Sequence, residues 1–239
     1  MTGLLDLTLA AHGGLDRWRK AEKVSTRIKL GGVLWSLKGH PGALDGSTVT
    51  TTLHREWTSH APFFEPNLRT SFTPERIAVE TLGGETVEEL VHPRDSFAGH
   101  ELTTPWTRLQ LAYMAGYAMW TYLSEPFSFT LPGVRTEELE PWSEDGEKFR
   151  RLKVTYPDNI ATHSTEQVLY VDGKGLLRRR DYTFDIAGGS PSAHYMSGHR
   201  EVSGLVFPTK RIVYARGEDN RKIESIVSVT IELDEIRVW

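Results

Sequence analysis

The chain has 239 residues, with 28 basic and 32 acidic side chains, a formal net charge of −4, 38 % apolar residues and no cysteine. That is a globular composition, and its near-balanced charge argues against a nucleic-acid or anionic-membrane partner. Without cysteine there are no disulfides, thiolate nucleophiles or zinc–thiolate sites.

The first predicted element is a short amphipathic helix from Thr2 to His12, with Leu4, Leu5, Leu9 and Ala11 as its stripe and Gly13-Gly14 as its stop. The start Met1-Thr2-Gly3-Leu4-Leu5-Asp6 has no basic residue ahead of the apolar ones, and Asp6 interrupts them. It does not read as a signal peptide, and the expectation is a cytoplasmic protein. Leu15 to Lys23 predicts a second short helix. The period then changes from helical to two. Thr26 to Leu30 alternates up to Gly31-Gly32, a bulge or bend, and Val49 to Trp57 alternates as a second strand. Ile77 and Val79 lead a strand to Gly83-Gly84, with Val87 to Val91 as its hairpin partner.

Pro105 to Leu123 is a long apolar run whose length argues for a helix, with Pro105 in its first turn. Apolar residues occupy nearly its whole circumference, so it is expected to be buried on several sides. No stretch approaches the ~18 apolar residues of a membrane span. From Leu152 onward the chain predicts an antiparallel meander. Its strands carry Leu152 to Tyr156, Val168 and Tyr170, Tyr182 to Ile186, Ala193 to Val202, Val206 to Tyr214 and Val227 to Leu233. Asp172-Gly173-Lys174-Gly175, Gly188-Gly189-Ser190-Pro191 and Gly204 mark the turns. No linker or repeat interrupts residues 1–239, which read as one domain.

Three stretches in this layout resemble the LolA/LolB-like lipoprotein-carrier fold: Ala11-His12-Gly13-Gly14-Leu15-Asp16-Arg17-Trp18, the segment from Tyr170 to Arg179, and Val202-Ser203-Gly204-Leu205-Val206-Phe207-Pro208. The resemblance implies a mainly β (α+β) fold. Its core is a strongly curved, open antiparallel half-barrel, with helices covering an apolar cavity for acyl chains. Phe97-Ala98-Gly99-His100 through Gly116-Tyr117-Ala118-Met119-Trp120, with Ile160-Ala161-Thr162-His163-Ser164, is similar to a group of uncharacterised bacterial proteins. That second resemblance brings no activity.

The residues that could carry chemistry cluster late in the chain. Alternation puts Arg178, Arg180, Tyr182 and Phe184 on one face. If that face is internal, a guanidinium at the end of an apolar pocket suits a carboxylate-bearing ligand. If the strand end is solvated, the arginines sit in water. His199 shares the face of Tyr195 and is placed to approach Arg180 or Tyr182 across the hairpin. With His194, His163 and Tyr182 it forms a candidate acid–base group next to a carbonyl. A hydrogen-bonded cluster that fixes register is the plainer alternative. Trp106, Tyr113, Tyr117 and Trp120 either line the pocket or pack the core.

His12 reads as a helix-end residue, His40 as a loop residue and His54 as solvent-facing. No His-x-His or His-Glu-x-x-His ligand set and no phosphate-binding glycine loop is present. Neither a metal nor a cofactor is therefore expected. The leading expectation is a binder of a hydrophobic or amphiphilic small molecule. The alternative is an enzyme of isomerase, cyclase or lyase type in the same cavity, and a third reading is a barrel filled by its own side chains.

Overall fold

The computed structural model describes residues 3–239. Helix α1 spans Leu4–Ala11 and α2 spans Leu15–Trp18; strand β1 follows at Lys23–Gly31 and α3 at Leu34–Leu37. Strands β2 to β6 occupy Thr48–Thr52, Thr58–Ala61, Leu68–Thr73, Arg76–Thr81 and Thr86–Val91. Helix α4 covers Arg108–Ser124. Strands β7 to β13 then run as Arg135–Glu144, Glu147–Thr155, Glu166–Val171, Leu177–Phe184, Ser190–Val202, Leu205–Arg216 and Lys222–Val238.

All thirteen strands form one antiparallel sheet in the order β6-β5-β4-β3-β2-β1-β13-β12-β11-β10-β9-β8-β7. Two meanders, β1 to β6 and β7 to β13, are therefore joined where the first strand pairs with the last. The sheet is antiparallel and mainly β, as the alternation predicted, and open and curved, as the resemblance implied. Its curvature has a local cause. The pairing register shifts between Ser25 and Arg27, between Leu177 and Arg179, and around Tyr214, and each such bulge bends its strand.

Helix α4 fills the concave side against β2 to β5, and every residue from Gln110 to Ser124 is buried. It begins later than the proline implied. Thr107 is the N-cap, and its hydroxyl accepts from the Gln110 amide while the Gln110 side chain accepts from the Thr107 amide. Pro105 thus lies ahead of the helix. Helix α1 covers the other half. Its Leu4 packs with Leu152, Val154, Leu169 and Leu177 of β8 to β10. Among the described residues no helix is long and apolar enough to cross a membrane.

Several sequence expectations need correction. Thr2 lies outside the described residues. The second helix stops at Trp18, because Lys23 is drawn into β1, where it pairs with Thr52. The strand expected from Val49 to Trp57 ends at Thr52. The indole of Trp120 donates to the carbonyls of Thr52 (3.1 Å) and Arg55 (3.0 Å), which holds the chain in a turn there. Strands β3, β4 and β7 and the short helix α3 do not emerge from the sequence pattern. Ile186 lies in a 3-10 turn beyond β10.

Candidate functional site

Between α4 and the concave faces of β1, β12 and β13 lies a cavity that is mostly apolar. Its interior room is about 170 Å³, and the empty space including its open mouth is about 930 Å³. A water needs only about 10–15 Å³ on the first measure, so the interior has room for a small organic molecule. Helix α4 makes this room by presenting Ala115 and Ala118 to it, while Ile28, Val229 and Ile231 form the opposite wall. Leu102 and Ile226 line the mouth and are each 44 % exposed.

The polar lining is sparse. One group consists of Tyr122, His163 and Tyr182. His163 comes from the loop between β8 and β9, fixed where its carbonyl accepts from the Asp185 amide. Its Nε2 lies 2.7 Å from the Tyr122 hydroxyl and its Nδ1 3.2 Å from the Tyr117 hydroxyl. The imidazole stacks flat on the Tyr182 ring, with centroids 4.2 Å apart. Burial, with a smaller contribution from the charge of Arg94, lowers the His163 pKa to about 3. The ring is therefore neutral at pH 7, so one phenol donates to it and the other accepts from it. Burial pushes the phenols of Tyr117, Tyr122 and Tyr182 up, leaving hydroxyls rather than phenolates.

Behind this group sits a buried charge cluster. Arg180 of β10 and Arg211 of β12 both pair with the carboxylate of Glu125, Arg211 at 3.2 Å. Arg211 also donates to the Tyr122 carbonyl at 2.7 Å. The two guanidinium carbons lie 5.3 and 4.7 Å from the Tyr122 ring centre. Burial brings both arginines down to about 10, so they stay charged at neutral pH. Two cations and one carboxylate leave one net positive charge behind the phenol. That favours negative or electron-rich ligand atoms at this end.

The second polar station is His60 of β3, which sequence reasoning missed. It is fully buried and lines the cavity, and its Nε2 has no hydrogen-bond partner among the described residues. It stands in the polar run Thr58-Ser59-His60, which carried no apolar alternation to mark it as inward-facing. Tyr122 was legible only as one aromatic within a uniformly apolar helix.

The structure brings together only part of the predicted constellation. His163 and Tyr182 line the cavity, and Tyr117 bonds to His163. The face assignment of the arginines fails at the Leu177/Arg179 bulge. Arg180 is internal, whereas Arg178 is partly exposed beside Asp172 at 3.6 Å. Arg180 does not touch the cavity but is covered by Tyr122 and Glu125. His194, not His199, stands opposite Arg180 in the ladder; it packs edge-on against Tyr122 behind the cavity lining. His199 lies away from Arg180 and Tyr182, with its Nε2 2.9 Å from the Leu177 carbonyl and its ring beside His12.

Tyr195 lies on the opposite face, where its hydroxyl donates to Glu144, which also receives Arg179. The aromatic residues of α4 and its approach diverge as well. Trp120 holds the β2–β3 turn, Tyr113 lines a separate polar pocket with Arg94 and Tyr156, and Trp106 packs against Phe97 and Phe184.

No protein-family model matches the chain, and no curated protein matches it. Solved structures do. A LolA superfamily protein from Nitrosomonas europaea is 11 % identical with a TM-score of 0.53. A DUF1329 family protein from Desulfovibrio piger is 11 % identical with a TM-score of 0.52. A putative outer membrane lipoprotein-sorting protein domain from Vibrio parahaemolyticus is 9 % identical with a TM-score of 0.55. Each alignment covers 98 % of this chain and 91 % of the other. At such identities the likeness is one of fold, and the fold is LolA-like.

Proposed function

We propose that the chain binds a hydrophobic or amphiphilic small molecule in the cavity between α4 and the concave sheet. The observation that carries this reading is the cavity itself, an apolar interior with a mouth at Leu102 and Ile226 and few polar groups. Ligand sites commonly combine an apolar lining with a few placed polar groups. The lipoprotein-sorting description of one structural neighbour is compatible with it. The phenols of Tyr122 and Tyr182, backed by the net positive charge of the Arg180–Glu125–Arg211 cluster, favour an acceptor group there. A carboxylate-bearing ligand fits that end.

Native mass spectrometry of freshly purified protein, repeated under denaturing conditions, tests the reading. A lipid-like mass released on denaturation is the expected result. A bare polypeptide mass, together with no uptake of added dodecanoic acid, would overturn it.

A second reading has one specific observation behind it, the hydrogen-bonded His163 between two phenols at the cavity wall. In that arrangement a proton moved onto one ring nitrogen can leave from the other, so the group can relay a proton to or from a bound carbonyl compound. The low pKa of His163 makes it a hydrogen-bond donor and relay at pH 7 rather than a strong base. Loss of turnover in His163→Ala, on any substrate found, would establish this chemistry; unchanged turnover would remove it.

A further inference from the structure

His60 sets a condition on what occupies the cavity. Its backbone N–H donates to the Thr70 hydroxyl at 2.8 Å, and that hydroxyl lies 3.5 Å from the ring Nδ1. The Thr70 hydroxyl accepts from the backbone, and Nδ1 is the acceptor within reach of its proton, so we assign that proton to Nδ1. This makes Nδ1 the acceptor and leaves the proton of the neutral ring on Nε2. Burial lowers the His60 pKa to about 4 with no charged neighbour contributing, which keeps the ring neutral at pH 7. The Nε2–H is thus a buried donor without a protein partner, beside a largely apolar cavity. Buried donors are rarely left unpaired in folded proteins.

The sheet order places this donor on a different strand wall from Tyr182. His60 is on β3 and Tyr182 on β10, with β2, β1, β13, β12 and β11 between them. Because the sheet curls around α4, β3 and β10 form different walls of one cavity. Between them the side chains of β1, β12 and β13 that line the cavity are apolar except Ser228, and β11 adds Ser190 and Ser192.

We propose that the cavity selects a ligand with two separated acceptors: one at its head for the Tyr122–His163–Tyr182 group, and one oxygen along its chain for the His60 Nε2–H. The class is an oxygenated aliphatic acid, bearing a keto or ester oxygen within its chain, rather than a plain fatty acid. This inference rests on the proposed binding function, and a substituted-chain series separates the two.

Dodecanoic acid and a set of ketododecanoic acids, with the keto group stepped along the chain, are titrated calorimetrically into the protein. One keto position is expected to bind roughly tenfold more tightly than the parent, the size of one desolvated hydrogen bond. In His60→Phe every keto position should bind with the affinity that dodecanoic acid has for that same variant, so the preference is erased whatever the parent affinity becomes. Equal affinity along the whole series in the native protein overturns the inference, and does so even if His60→Phe fails to fold. A preference that survives in folded His60→Phe overturns it too. Binding of dodecanoic acid without any keto preference sinks this inference alone, whereas binding of no member of the series sinks the proposed function with it.

Discussion

Gly116 of α4 lies against Phe72 of β4 with no space for a methyl group: a Cβ at position 116 would stand 2.4 Å from Phe72 Cγ and 2.6 Å from its Cβ. The helix therefore sits on the sheet at a distance that only glycine permits, and this seat positions the alanines that line the cavity. Overpacking in Gly116→Ala costs about 1–3 kcal/mol against the ~1 kcal/mol gained in helix propensity, so the variant should be destabilised by up to about 2 kcal/mol. Urea unfolding measures it, and unchanged stability would mean that Phe72 moves aside freely.

Filling the cavity should separate binding from folding. Ala118→Phe places a ring in the space beside α4, so ligand retention should fall at least tenfold. The melting temperature should stay within a few degrees, because added side-chain volume is costly mainly where a core is already full. A ligand mass that survives in the native spectrum of this variant would place the bound molecule elsewhere.

The Arg180–Glu125–Arg211 cluster has an asymmetric response to mutation. Glu125→Gln leaves two buried guanidiniums without their shared counter-charge and should cost about 3–5 kcal/mol. Replacing all three by methionine removes the charges together and should cost less than the single change. Chemical denaturation of both variants decides it, and a triple variant weaker than Glu125→Gln would contradict the argument.

Acid should unfold the protein through its histidines. His12, His60 and His163 are buried, and burial brings them from 6.5 to about 4, 4 and 3. Below pH 6.5 the unfolded chain binds protons that the folded chain refuses, so stability rises with pH in this window. It is full above about 6.5 and is lost as pH falls toward 3–4. Between pH 7 and 5 each histidine should withdraw about 2 kcal/mol. Urea midpoints at the two values test this, and replacing His60 by Phe should shrink the difference.

The features legible in the sequence were those with a long, clean period. Alternation from Val206 to Tyr214 and from Val227 to Leu233 announced β12 and β13, and the uniform apolarity before Leu123 announced a helix buried all round. What was hidden depended on single-residue interruptions. The bulge at Leu177/Arg179 separated Arg178 from Arg180, while Arg179 keeps the face opposite Arg180, with Glu144 and Asp181. The ladder then brought His194 opposite Arg180, which moved His199 out of the expected group. Residues 53–57 kept alternating but were turned by a distant indole on α4. His60 was invisible because a buried polar strand lined by one face of a cavity has no compositional mark.

The pairing of β1 with β13 sets an order on assembly. The first strand cannot find its second neighbour until more than 180 further residues have been made, because Lys23–Gly31 waits for Lys222–Val238. Until then β1 and β12 are both raw edges, each able to recruit a strand from another chain. Closing so long a loop is also slow. The interval before the seam closes is the time when this protein is most exposed to aggregation, and a chaperone acting on it would have the most effect then.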